Sequence, residues 1–144
     1  MKIYYAAPLF NETELEKNKK MKKWLENKGY EVYLPQDESG LSYEMINEEN
    51  KLEVNKKIFE GDVECIKKSD LLILDLNGRV PDEGGCVELG MAYAWGIKAI
   101  GYKTDTRALD YTGDDNLMIE GCMNFKIARN LDELSKMLGE IWEE

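Results

Sequence analysis

The chain has no histidine, and only three cysteines and three prolines, among 144 residues. Each scarcity removes a class of chemistry. Without histidine there is no Ser-His or Cys-His nucleophile pair. Cys65, Cys86 and Cys122 are scattered, with no C-x-x-C spacing, so no zinc or other metal centre is expected. They read as buried reduced thiols. Acid–base work near neutral pH then falls to carboxylates, tyrosines, lysines or cysteine. Positive charge is scarce too: 19 Lys and Arg stand against 29 Asp and Glu, a formal net charge of −10. That field repels polyphosphate chains, so no nucleic acid polymer is expected as a partner. A small neutral ligand fits better. No apolar run approaches the ~20 residues that span a bilayer. The N-terminal MKIYYAAPLF lacks a signal peptide's long apolar stretch and already reads as a strand. The expected setting is the cytoplasm, with no membrane contact.

What is present fits one globular domain over residues 1–144, with 43% hydrophobic and 33% charged residues. Strand-like and helix-like segments alternate. KIYYAA (2–7) is a first strand. Asn11, with Glu14 three residues on, resembles a capping box for a helix to about residue 28, ended by Gly29. EVYLP (31–35) is a second strand, followed by a long polar connection over 36–48. A helix over about 49–68 leads to LLILDL (71–76), apolar on both faces like a central parallel strand. A helix over 85–96, a strand at 98–103, a short helical piece near 117–121, a strand at 124–129 and an amphipathic C-terminal helix complete the order. This alternation predicts an α/β fold: a flavodoxin-like, doubly wound, five-stranded parallel sheet with helices on both faces. Ligands in such folds bind beyond the carboxyl ends of the strands. That points to Pro8–Asn11, Pro35–Ser39, Asp75–Gly85 and Lys103–Asn116.

Four residues look out of place or open to two readings. Asp62 lies four residues after Ile58 and four before Ile66, inside the apolar stripe of Leu52, Ile58, Phe59, Val63 and Ile66. A carboxylate there costs several kcal/mol unless it is paired or protonated. It is either a stripe margin that reaches solvent or a proton-carrying acid. Tyr4 and Tyr5 point to opposite faces of the first strand, so one packs under a helix while the other is free to face a site. Asp82 reads as turn or cap chemistry in DLNGRVPD. Glu88, six residues after Asp82 in DEGGCVELGMAYAWG, falls in about the first turn of its helix. Helix-dipole preference explains an acid there. A nucleophile held ionised beside a hollow cleared by Gly84 and Gly85 explains it equally. No G-x-x-x-x-G-K-[ST] or G-x-G-x-x-G phosphate loop is present.

These pieces, taken in order, resemble the nucleoside 2-deoxyribosyltransferases over nearly the whole chain. PDEGGCVELGMA (81–92) resembles the family's nucleophile segment, and IYYAAPLF its first strand and loop. Asp62 stands at the family's acid position, eight residues before Asp70 of the Ser-Asp pair, and Asn116-Leu117-Met118 resembles its sugar-binding segment. The resemblance implies transfer of a 2-deoxyribosyl group between nucleobases of 2′-deoxyribonucleosides, with retention, through a covalent glycosyl-enzyme on Glu88. It needs no cofactor. Asp62 would protonate the departing base, kept able to do so by burial. Tyr4 would orient Glu88. Asp82 and Asn116 would grip the sugar, Gly85 would line the hollow, and Gln36 would contact the base. Asn116 is often lent by a neighbouring subunit in that family, which implies a homo-oligomer. The loop AAPLFNET departs from the best-known lactobacillal members, and NGRVPD looks like a second branch.

Three rivals remain at this stage. A 2′-deoxynucleoside 5′-monophosphate N-glycosidase shares the Glu-Leu-Gly segment, but its first loop carries a phosphate cradle, and AAPLFNET has no basic residue. A non-catalytic nucleoside-sensing module is possible on any such fold. A response-regulator receiver needs an acidic pair after the first strand, where residues 6–10 read AAPLF.

Overall fold

A computed structural model describes residues 1–37, 44–109 and 111–143 of the chain. Five strands, β1 (Lys2–Ala6), β2 (Glu31–Tyr33), β3 (Leu71–Asp75), β4 (Lys98–Tyr102) and β5 (Ile127–Ala128), form one parallel sheet. Their order is β2-β1-β3-β4-β5, as the alternating pattern predicts. Among the described residues, the helices α1 (Glu12–Asn27), α2 (Lys51–Lys67), α3 (Glu83–Ala94), α4 (Leu117–Cys122) and α5 (Leu131–Glu140) accompany them. Among the described residues, no helix is long and apolar enough to cross a membrane.

The sheet separates two cores. Met21 and Leu25 of α1 and Leu134 and Leu138 of α5 cover one face, against Ile3, Tyr5, Leu71 and Ile73. Ile66 of α2, Leu89 and Ala92 of α3 and Met123 after α4 cover the other, against Tyr4, Ala6, Leu72 and Leu74. Alternation along β1 thus sends its two tyrosines to different cores. Caps fix the helix starts: Asn11, Asp82, Asn116 and Asn130 each accept a backbone N–H in the first turn of their helix.

Several expectations need correction. Leu52 and Phe59 of α2 do not face the core; they are 68% and 59% exposed. The nearby edge strand β2 is only three residues long, so the sheet supports the last turns of α2 alone, where Ile66 is buried. The connection after β2 is not irregular throughout, since residues 35–37 are helical. Much of the expected 36–48 loop, including Ser39, lies outside the described residues. The fifth strand shrinks to Ile127–Ala128 because Asn124 and Phe125 take positive φ, 50° and 59°, and turn the chain first. The three cysteines form no disulfide with one another, and they are half-buried rather than fully buried.

Asp75, buried at the end of β3, binds several segments together. It accepts from the Tyr5 hydroxyl at 3.0 Å and from the Asn77 backbone and amide at 2.8 and 2.9 Å. It also pairs with Lys17 of α1 at 2.9 Å. Asn77 in turn accepts from Thr104 and Asp105, and Asp105 accepts from Gly78. The exits of β3 and β4 are therefore stapled together. Asp75→Ala should cost about 2–4 kcal/mol, because it leaves buried donors unpaired. Urea denaturation checks this, together with faster amide exchange at Asn77 and Gly78; a parent-like midpoint would remove Asp75 from this role.

Candidate active site

On the face of the sheet covered by α2, α3 and α4, three chain segments converge. β1 supplies Tyr4 in its middle, fully buried. α3 supplies Glu88, half-buried. α2 supplies Asp62, also half-buried. Tyr4 lies within electrostatic reach of both Glu88 and Asp62, and Glu88 within reach of Asp62 and Asp82. Three acids and a tyrosine therefore share one region.

α3 begins at Glu83, two residues earlier than predicted, so Glu88 sits in its second turn. The dipole effect is concentrated in the first turn, which weakens the helix-end account of this acid. Nor is Glu88 held ionised. Its carboxyl, ordinarily near 4.5, is pushed up to about 7. Burial is the main cause, Tyr4 opposes it, and Asp62 and Asp82 add to it. The Tyr4 hydroxyl is directed at Glu88, yet no well-formed hydrogen bond closes: Tyr4 Oη and Glu88 Oε2 are both buried without a hydrogen-bond partner. Such orphaned atoms are rare in packed interiors and concentrate where a ligand completes them. The Tyr4 phenol is itself raised far above its usual range, by burial first and then by the two acids. It therefore stays protonated, and toward an ionised carboxylate it acts as a donor.

The remaining predicted residues divide. Asp82 is the N-cap of α3, its carboxylate accepting from Gly85 N at 2.8 Å, and it remains close enough to act on Glu88. Gly85 is demanded by packing: a Cβ there would lie 2.6 Å from Leu74 Cδ1. It lets α3 approach β3, and Gly84 beside it is exposed and unobstructed to 3.5 Å. Gln36 is engaged by α1, accepting from Asn18 at 2.9 Å and donating to Leu15 O at 3.0 Å. Asn116 caps α4 and lines a cavity of about 490 Å³ with Glu83, Cys86 and Arg79. Cys86 and Glu88, two residues apart, point to nearly opposite sides of α3. Asn116 thus lies across α3 from the Glu88 of its own chain. Its surroundings, Leu117, Met118 and Phe125, are exposed apolar side chains.

Tyr33 was not singled out from the sequence. It is the register partner of Tyr4 across β1 and β2, and its hydroxyl donates to Asp62 Oδ1 at 2.8 Å. The signal was available only once β2 was known to pair with β1 in parallel. Among the described residues, no group of acids and cysteines has the arrangement of a metal site.

The family model described as nucleoside 2-deoxyribosyltransferase matches residues 3–123. No curated protein gave a match. Among solved structures, a conserved protein from Enterococcus faecalis V583 is 26% identical, with 96% of this chain and 97% of that one covered and a TM-score of 0.78. A 2-deoxyribosyltransferase from Bacillus psychrosaccharolyticus is 28% identical, covering 85% and 82%, with a TM-score of 0.66. A CMP N-glycosidase from Clostridium botulinum shares the fold at 21% identity, covering 96% and 99%, with a TM-score of 0.61.

The raised Glu88 carboxyl makes stability pH-dependent. A folded state that prefers the proton gains from it fully below the ordinary 4.5 and loses that gain as pH rises through about 7. Glu88→Gln should therefore match the parent near pH 4 and exceed it by on the order of 2–3 kcal/mol near pH 8. Denaturant titrations at the two pH values check this; equal differences at both would show that Glu88 is not held protonated.

Proposed function

The chain belongs to the nucleoside 2-deoxyribosyltransferase family, and we propose that it transfers the 2-deoxyribosyl group between nucleobases of 2′-deoxyribonucleosides through a covalent ester on Glu88. The observation that carries this reading is the convergence of a half-buried Glu88, an orphaned Tyr4 hydroxyl and Asp62 on one face of the sheet. The two acids fit the division of labour in retaining glycosyl transfer. Glu88, ionised, attacks C1′ of the sugar as the C1′–N bond to the base breaks. Asp62 gives its proton to the departing base, which leaves neutral. The ester C1′–O bond then breaks as a second base attacks from the vacated side, and that base returns its proton to Asp62. Two displacements at C1′ give retention. Tyr4 donates toward the Glu88 carboxylate and fixes its rotamer, a bond that tightens once substrate fills the site.

Asp82 grips the sugar hydroxyl while still capping α3, and Gly84 and Gly85 leave room for the ring. Asn116 completes the site of a neighbouring copy, since it faces away from its own Glu88. This reading includes a single domain over 1–144, a homo-oligomer and a cytoplasmic setting. Gln36 is the weakest member of the base-contact set, because α1 already occupies both ends of its amide.

The assay is incubation with thymidine and adenine, then deoxyinosine and adenine, with chromatography for deoxyadenosine. Transfer is expected, and free deoxyribose as the sole product would favour an N-glycosidase instead. Glu88→Ala should abolish formation of the glycosyl ester, seen as a mass increment on the protein. It should cut transfer by about a thousandfold or more, because a missing nucleophile is not replaced by positioning alone. Asp62→Asn should lose most rate with poor leaving bases. Equal loss across a base panel would make Asp62 a positioning group rather than the acid. The rate should also rise with pH on its acid limb near pH 7, where Glu88 ionises.

A further inference from the structure

Two tyrosines stand side by side beneath the candidate site. Tyr4 and Tyr33 are register partners on adjacent parallel strands, so their side chains leave the sheet on the same face. Their rings stack, with centroids 5.2 Å apart and planes 25° from parallel. The two hydroxyls go to different acids. Tyr4 is directed at Glu88, while Tyr33 donates to Asp62 Oδ1 at 2.8 Å.

We propose that Tyr33 is a positioning residue for Asp62: its hydroxyl fixes the rotation of the carboxyl, and its stacked ring sets Asp62 at a defined distance from the Tyr4–Glu88 pair. This rests on the reading of Asp62 as the acid that serves the leaving base. The physical case has three parts. Asp62 lies one turn before the fully buried Ile66, so its helix sets where its backbone stands, and what remains to be fixed is the rotation of its carboxyl. A hydrogen bond from the end of β2 ties that carboxyl to the sheet. The same bond favours the charged carboxylate, so it also tempers how strongly Asp62 holds its proton. Tyr33 from β2, Tyr4 from β1 and Glu88 from α3 lie near Asp62, and of these Tyr33 gives its carboxyl a hydrogen-bond donor.

Tyr33→Phe keeps the ring and its stack on Tyr4 and deletes only the donor. With the folded protein verified by circular dichroism, kcat for transfer should fall about 3–10-fold while KM stays within about twofold, the mark of an interaction that matters at the transition state. The basic limb of the kcat/KM profile should move up by about half to one pH unit, because the carboxylate has lost a donor. In an Asp62→Asn background the same change should cost nothing further, since residues that act as one unit are not additive. A parent-like pH profile, or an equal loss in the Asp62→Asn background, would overturn the assignment. Should the parent protein act on no nucleoside at all, the proposed function falls rather than this contact. Carbon NMR of the Asp62 carboxyl then decides for Tyr33: a higher titration midpoint in Tyr33→Phe upholds it, and an unchanged one removes it.

Discussion

Asp75 is the point on which the rest of the architecture turns. One buried carboxylate at the carboxyl end of β3 receives a tyrosine from β1, a lysine from α1, and the backbone and side chain of the residue two positions on. Buried charge is tolerable only when its lone pairs are used, and here they are. The consequence is geometric. Asn77 is held in a position from which it captures the chain leaving β4, and the loop that leads to Asp82 is fixed at its root. A second buried pair, Lys103 with both oxygens of Asp115 at 2.9 Å, holds the far end of the β4 exit loop in the same way. A loop anchored at both ends in the low-dielectric interior can present residues such as Asn116 without a packed core of its own.

The two faces of β1 show how structure and site are divided between neighbouring residues. Tyr5 faces the α1–α5 side and spends its hydroxyl on Asp75. Tyr4 faces the α2–α4 side, and its hydroxyl has no such outlet. The chemical type is the same and the burial is equal. What differs is that one partner is a satisfied anchor and the other is Glu88, a half-buried acid in the second turn of a helix. Along β1, the satisfied hydroxyl thus lies on one face and the unsatisfied one on the other, beside an acid, a pattern typical of sites that complete themselves with a ligand.

The layered fold was legible because strand and helix periods are strong local signals: LLILD could hardly be anything but a central parallel strand, and the cap at Asn11 announced its helix. Features set by long-range pairing were not legible. That Leu52 and Phe59 face outward depends on how short β2 is, and the truncation of β5 depends on a left-handed turn at Asn124 and Phe125. The commitment of Gln36 to α1 depends on Asn18, eighteen residues away. Tyr33 is the clearest case. Nothing in EVYLP separates it from an ordinary strand aromatic. Its meaning comes from β2 lying beside β1 in a register that sets Tyr33 against Tyr4 and beneath Asp62.

Glu88 was the residue with the strongest bland explanation, since acids are common at helix starts. Two facts weaken that explanation independently. The helix begins at Glu83, directly after its cap Asp82 and two residues before the expected start, and Glu88 is left beyond the first turn. Its carboxyl is also shifted up toward neutrality, the reverse of what a helix N-terminus does to an acid. A glutamate kept only for helix stability would be exposed, ionised and close to the end. This one is half-buried and aimed at an orphaned tyrosine, among like charges that raise its cost. Removing the charge would make the folded chain more stable at high pH, so fold stability does not account for its presence. A function that needs a carboxylate at that spot does.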